Sequence, residues 1–470
     1  MLIKGKQILA ERTIPITNPT RCETIWDMPV GSKDDVDLAI SIALEGRTTA
    51  RNMSRYQRSR CLQQAAIFVE ESADEFATTI VEESGKTLVQ ARKEVARCIN
   101  TLAVSAEEAK RFVGETIAFD SVSGSENRSG YFERDPIGIV LAITPFNDPL
   151  NLVAHKLGPA IAAGNSIILK PSEKAPMSAI KLAKALLEGG LPSEVLSVVT
   201  GDASTASLLV EREEVRMISF TGGKLAAKKI TEQAGVKRIS MDLGGNAPVI
   251  VCADCDLMHA VESCVSGAFW ASGQNCIGVQ RIFVENKILQ SFLKTFKEKT
   301  SQLKWDDPAE ERTDVGPMIS IEEAQRIHDW VEHAITIGAD LVTGHELKGA
   351  FYRPTVLTNV PKGAKVVCEE VFAPVVVIEP FNDFEGVLQE ANKPDFMLHA
   401  GIFTTDISKA RKAILELEVG GVMINDSSDY RLDAMPFGGA KHGSMGREGV
   451  RFAMEEMSHP KVVCYLHEGA

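Results

Sequence analysis

The 470-residue sequence predicts an α/β protein built on open, mainly parallel sheets. Three observations predict it. Continuous apolar runs at Gly138–Ile143, Ser166–Leu169, Val195–Val199 and Met217–Phe220 have the character of strands buried on both faces. Each run ends in a polar or Gly/Pro loop and leads into a segment with helical apolar spacing, the βαβ pattern. The length also implies about two or three domains, more than one small core.

Residues 1 to about 35 alternate apolar and polar residues around Asn18-Pro19, Pro29 and Gly31, and read as short strands. Asp34 and Asp35 then open a helix through Val36–Leu44, with acidic residues at its positive end. Residues 54–83 and 86–114 read as two long amphipathic helices whose charges form solvated faces. The stretch 119–137 is polar and flexible before Tyr131-Phe132-Glu133-Arg134 alternates, and reads as a projecting hairpin suited to pairing between subunits. From 138 strand and helix alternate, with helices over 178–188 and near 203–211. Ligands of such sheets sit beyond the carboxyl ends of the strands, where the loop motifs are expected to gather. A second α/β portion starts near 244, with the strand Arg281–Val284 and helices near 287–303 and 321–337. It closes with the Gly-rich run Pro436–Lys441, and Lys461–Leu466 reads as an exchanged or edge strand.

Hydrophobic content of 44% and charged content of 24% are those of a globular protein. A net charge of −13 argues against nucleic acid or an anionic membrane as partner. No uncharged apolar run reaches the ~18–20 residues of a membrane span, and the first residues lack a signal-peptide core. The nine scattered cysteines suit reduced thiols, so a cytoplasmic setting is expected. Cys252-x-x-Cys255 has no second pair or histidine at zinc spacing, and no metal is expected.

Among those cysteines Cys276 stands apart, because Gly273-Gln274-Asn275 delivers it from a turn. A buried structural thiol is the ordinary fate of a cysteine. The surrounding loops change that reading. Pro145-Phe146-Asn147-x-Pro149, Lys156-Leu157-Gly158-Pro159 and Lys170-Pro171-Ser172-Glu173 follow one another. Phe220-Thr221-Gly222, Leu243-Gly244-Gly245, Gly273-Gln274-x-Cys276, Glu369-Glu370-x-Phe372-x-Pro374 and Pro436-Phe437-Gly438-Gly439 complete the order. Together they resemble the aldehyde dehydrogenase superfamily over nearly the whole chain, with a pattern closest to its lactaldehyde, phosphonoacetaldehyde and semialdehyde branches.

That resemblance implies two Rossmann-like domains plus a β oligomerisation arm. Residues 1–118 and 138–243 would form the NAD(P)-binding domain and 244–437 the catalytic domain. Residues 119–137 and 455–470 would form the arm and tail of a homodimer or homotetramer. Cys276 would be the nucleophile toward an aldehyde, Asn147 an oxyanion donor, and Lys156 part of the catalytic set. The family's base is a glutamate before Leu-Gly-Gly; here that position is Asp242, shorter by one methylene. The change leaves open a CoA-acylating variant in which no base is needed.

For the cofactor the resemblance implies contacts from Thr144, Pro145, Lys170, Ser172, Glu173, Thr221, Gly222, Gly223, Leu243, Glu370 and Phe372. A carboxylate at Glu173 accepts from ribose hydroxyls and repels a 2′-phosphate, which favours NAD over NADP while Lys170 and Lys174 partly offset this. The family's channel is often aromatic where this chain has Asp148 and His155, with Asn151 between them. A polar lining suits a small hydroxylated or charged aldehyde. Arg431 and Arg97 are candidates for an anionic tail, and Asp148 would repel one. A non-phosphorylating glyceraldehyde-3-phosphate or phosphonoacetaldehyde type of enzyme is the alternative within the family.

Overall fold

A computed structural model describes residues 1–467 of the chain. Two open sheets organise it. Across the eight-stranded sheet run Lys6–Gln7, Leu2–Ile3, Leu196–Val198, Ser166–Lys170, Ile139–Ile143, Met217–Thr221, Arg238–Asp242 and Ser444–Met445. The five central strands are parallel and both edges antiparallel. Ile139–Ile143, Ser166–Lys170 and Met217–Thr221 are buried at every residue, as their apolar runs require. Alternate side chains serve opposite faces: Val140 and Ala142 join one core, Ile139 and Leu141 the other. Chain order runs outward on both sides of Ile139–Ile143, which places a topological switch point beside Met217–Thr221.

The seven-stranded sheet runs Asp340–Thr343, Thr355–Thr358, Val375–Phe381, Val279–Glu285, Ala247–Val251, His399–Phe403 and Gly421–Ile424. All its pairings are parallel except that of the edge strand Asp340–Thr343.

Three expectations change. The stretch 54–83 is two helices, Arg55–Glu71 and Ala73–Ser84, because Ser72 ends one and begins the next. The charges of 54–114 are not all solvated: Glu83, Lys86 and Glu94 are buried. Glu83 accepts the amides of Met177 and Ser178, and Glu94 those of Leu150 and Asn151. Each carboxylate thus meets the positive end of a following helix, Met177–Glu188 or Asn151–Ala163. Finally, 119–137 is not a self-contained hairpin. Arg128–Pro136 pairs over nine residues with the C-terminal strand Ser458–Leu466, and only Glu115–Thr116 pairs on its other side. The polar run before it folds into turns and a short 3₁₀ segment, Phe119–Ser121, leaving no local strand to complete the hairpin. Positions 468–470 of the expected tail lie outside the described residues. No described helix is long and apolar enough to cross a membrane.

Candidate active site

The switch point opens into a cleft of about 450 Å³. Thr144, Pro145, Phe146 and Asn147 enter it from the end of Ile139–Ile143, and Lys170, Ser172 and Glu173 from the next strand. Thr221, Gly222, Gly223 and Asp242 complete the wall from the eight-stranded sheet. Gly244, Cys276, Glu370 and Phe372 face them from the rest of the chain. Leu243 is not in the wall. It packs on the core below, with its amide donated to the Gly443 carbonyl.

The carboxyl-end rule holds only for the eight-stranded sheet. Cys276 precedes Val279–Glu285, and Glu370 and Phe372 precede Val375–Phe381. The amino ends of the seven-stranded sheet supply the opposite wall.

Local backbone geometry explains how Cys276 is presented. The helix Leu257–Phe269 ends, and Ala271, Ser272 and Gly273 all take positive φ, at 51°, 57° and 70°. A Cβ on Gly273 would lie 2.1 Å from the Ala373 carbonyl oxygen, so only glycine fits. The unfavourable turn is held from outside. Ser272 Oγ donates to Gly316 at 2.8 Å, and Gln274 Oε1 accepts from the Ile319 amide at 2.9 Å. Burial pushes the Cys276 thiol up, and Arg431 opposes that shift.

On its other side Cys276 borders a second chamber of about 490 Å³. Asn147, Leu152 and Cys276 line both cavities and so form the partition between them. Asp148, Arg97, Arg431, Lys93, Asp426 and Tyr430 supply polar wall of the chamber. Asn151 and His155 do not line it. Both are buried behind the wall on Asp433, at 3.2 and 3.0 Å. Burial and Arg431 lower the His155 pKa, and Asp433 opposes that shift.

Asp148 is not a free anion. Lys86 bonds it from below, and Arg97 reaches it at 3.2 Å. Lys86 also pairs with Glu94 at 2.6 Å, and Arg97 with Asp433 at 2.8 Å. The repulsion expected of Asp148 toward an anionic tail is therefore cancelled locally. Arg431 lies over the Phe437 ring at 3.7 Å and donates to Glu448 at 3.0 Å. The Nε atoms of Arg97 and Arg431 are buried without a partner.

Asp242 ends its strand 2% exposed, with Oδ1 unpartnered. Burial first, then the neighbouring Glu448 carboxylate, holds its pKa well above the usual carboxylate range. Glu448 behaves oppositely. Against the cost of burial, Lys156 at 3.0 Å and Arg431 keep it ionised, while Thr221 Oγ1 donates to it at 2.9 Å. Lys156 also donates to Ser219 at 3.1 Å and lines neither cavity. Sequence reasoning passed over Glu448, Lys86, Glu94 and Asp433. Only Glu448 carries a cue, its place between Gly446 and Gly449 after the Gly-Gly run.

In the opposite wall of the cleft, Glu370 accepts from the Gly245 amide at 3.2 Å, and burial raises its pKa to about 7. A Cβ on Gly244 (φ +60°) would lie 2.3 Å from that carboxylate. Phe372, also at positive φ, meets Phe146 edge to face at 5.9 Å. Lys170 bonds Glu173 at 3.1 Å, so the glutamate's charge is matched. The Gly222 amide is taken by the Asp242 carbonyl. The open donors of that loop are Gly223 and the first turn of Lys224–Gln233, not the full Thr-Gly-Gly run.

Comparison with known proteins gives the family. Residues 7–463 match the model of the aldehyde dehydrogenase family. The chain is 56% identical to a putative aldehyde-dehydrogenase-like protein y4uC of Sinorhizobium fredii, over 92% of this chain and 84% of that one. It is 51% identical to aspartate-semialdehyde dehydrogenase 1 of Pseudomonas canavaninivorans, over 97% of both. It is 41% identical to 3-sulfolactaldehyde dehydrogenase of Priestia megaterium, over 98% of this chain and 97% of that one. Among solved structures, aldehyde dehydrogenase 21 of Physcomitrella patens with the product succinate superposes with TM-score 0.96. That match has 36% identity and covers 100% and 98% of the two chains. The NADP complex of glyceraldehyde-3-phosphate dehydrogenase GapN of Methanocaldococcus jannaschii gives 0.93 at 40% identity, over 97% and 100%.

Proposed function

This chain belongs to the aldehyde dehydrogenase family, whose members oxidise aldehydes with NAD(P), and from that premise we propose a specific reaction for it. It oxidises a small aldehyde bearing a hydroxyl or anionic group to the carboxylic acid. The observation that carries this reading is the partition. Asn147 and Cys276 stand between a nucleotide-sized cleft and a polar chamber.

The cleft residues fit NAD(P). Thr144 Oγ1 is buried without a partner, and Gly223 has open space where a Cβ would stand. Glu173 and Lys170 would hold the adenosine ribose, and Glu370 the nicotinamide ribose. Bound NAD(P) supplies the hydride acceptor. NAD is the preferred form, since Glu173 adds a carboxylate where a 2′-phosphate would lie, although Lys170 tempers that preference.

The Cys276 sulfur gives its proton to solvent water in the chamber and adds as thiolate to the aldehyde carbon. The Asn147 amide and the Cys276 backbone N–H donate to the oxyanion of the hemithioacetal. Collapse of that oxyanion expels hydride and leaves a thioester on Cys276. Water then attacks the acyl carbon, the C–S bond breaks, and the acid departs. The Asp242–Glu448 pair shares one proton and takes the proton lost by water, with Lys156 and Arg431 holding Glu448 ionised. Arg97 and Arg431, which line the chamber, would pair with the substrate's anionic end. The relatives' names fit such a substrate: a semialdehyde of an amino acid and a sulfonated lactaldehyde both carry an anion. Succinate in the Physcomitrella structure does too.

Turnover by the wild type over a panel of lactaldehyde, glyceraldehyde 3-phosphate, succinic semialdehyde and phosphonoacetaldehyde, with each cofactor, tests the reading. Cys276→Ala should abolish NADH production while fluorescence titration still shows cofactor binding; an active Cys276→Ala enzyme would refute the mechanism. One observation favours a second reading. A neutral Asp242 is a poor base, so a thiol such as CoA would resolve the thioester. CoA-dependent turnover without free acid would establish that reading and exclude the first. The arm and tail strands are proposed to pair the chain into a homodimer or homotetramer.

A further inference from the structure

Away from the cleft, three side chains that bind metals well converge at one edge of the seven-stranded sheet. His328 and Glu332 lie one turn apart on the helix Ile321–Thr336, and His345 follows the edge strand Asp340–Thr343. One ligand atom from each falls within 4.8 Å of the others. We propose that His328, Glu332 and His345 bind a first-row divalent cation of the zinc type, completed by water.

Donor chemistry selects that class. Two imidazoles and one carboxylate suit zinc, cobalt or nickel, whereas magnesium and calcium take oxygen ligands. His345 is already oriented. Its Nε2 faces Glu332 Oε2 at 2.7 Å, and its Nδ1 meets the hydroxyl of buried Tyr352 at 3.0 Å. A hydrogen bond from the second ring nitrogen to such a partner is how ligand histidines are held. His345 takes φ +65°, and its amide is fixed on Thr355 Oγ1 at 2.8 Å.

His328 supplies the adjustable part. Its ring stacks on His345 at 4.6 Å and 10°, so one ring turns for both lone pairs to meet an ion. Turning His328 breaks no hydrogen bond at Nδ1, which is sealed from solvent without a partner. Glu332 is exposed and free to follow. The ligand atoms of a tetrahedral ion lie roughly 3.3–3.6 Å apart for bonds of 2.0–2.2 Å. Side-chain rotation alone closes the remaining distance. The bound ion clips the helix to the sheet edge and needs no part of the proposed reaction.

The test is titration of the EDTA-treated, dialysed full chain with Co²⁺, followed by its visible absorption, and with Zn²⁺ by calorimetry. The expected result is one equivalent bound with cobalt d–d bands and no thiolate charge-transfer band in the near ultraviolet. Glu332→Gln and His345→Asn, the latter suited to positive φ, should each weaken binding at least tenfold. Tyr352→Phe should weaken it about 10–100-fold. Circular dichroism of each metal-free variant confirms folding. The site is overturned if the wild type binds no equivalent, if thiolate bands dominate, or if the folded Glu332→Gln and His345→Asn proteins bind as wild type does.

Discussion

Asp242 meets an environment that disfavours ionisation. If the Asp242–Glu448 pair removes water's proton, Asp242→Asn should slow acid release by about 10²–10⁴. The first turnover should survive as a burst of NADH, one per active cysteine, seen in rapid mixing. Loss of the burst together with the steady state would instead place Asp242 in the earlier steps. Glu370 gives a second residue-scale prediction. Burial raises its pKa to about 7, so the group is neutral below that pH and a carboxylate above it. A carboxylate accepts from ribose hydroxyls better than the acid does. Cofactor affinity should therefore rise with pH through about 7, by at most tenfold per unit. The profile should flatten in Glu370→Gln when the dissociation constant is measured by fluorescence at each pH. These residues stand out in the sequence because each adjoins a loop of restricted composition, Leu243-Gly244-Gly245 or Glu369-Glu370-x-Phe372. Glu448 was not, since a lone glutamate 206 positions after Asp242 has no local pattern connecting it to that partner.

Helices carry the next level, and here sequence pattern failed most clearly. The segment 86–114 has an amphipathic period, which assigns its charges to solvent. Periodicity reports which face is apolar, but it cannot see a carboxylate capping another helix. Glu94 does so at Leu150 and Asn151, and Lys86 ties it to Asp148, the neighbour of the proposed oxyanion donor Asn147. Lys86→Met should destabilise the protein by about 3–5 kcal/mol, because buried Glu94 loses its counter-ion and half-buried Asp148 is left with Arg97 alone. Urea midpoints would measure this. Lys86→Met with Glu94→Gln should recover part of the loss, and a further loss in the double variant would contradict the ion-pair account. The strands fared better. Runs such as Ile139–Ile143 have nowhere to go but the inside of a parallel sheet.

For the molecule as a whole, alternation of strand and helix was enough to predict two α/β portions with parallel sheets. It did not show which ends of the second sheet face that cleft, because strand direction relative to another domain has no local signature. Nor did it pair Arg128–Pro136 with Ser458–Leu466, a contact between distant segments. That small sheet leaves Ser458–Leu466 as an edge, with Val462, Tyr465 and Leu466 more than half exposed. An open apolar edge is a pairing surface. Lysine at Val462 and Tyr465 should shift the proposed homo-oligomer to smaller species in light scattering, with the fold retained by circular dichroism. An unchanged mass would assign assembly to another face.

The last strand of the eight-stranded sheet has a consequence for how the protein is made. Ser444–Met445 pairs beside Arg238–Asp242, and Glu448 joins Thr221 and Lys156 across 227 and 292 residues. A nascent chain therefore extrudes the central strands of that sheet long before the segment that closes it. During that interval Met241 and Asp242 form an unprotected strand edge, and Lys156 a buried cation without its anion. Such long-range closure is slow and exposes aggregation-prone intermediates. Synthesis from the amino terminus thus yields a complete eight-stranded sheet only after Ser444–Met445 has left the ribosome.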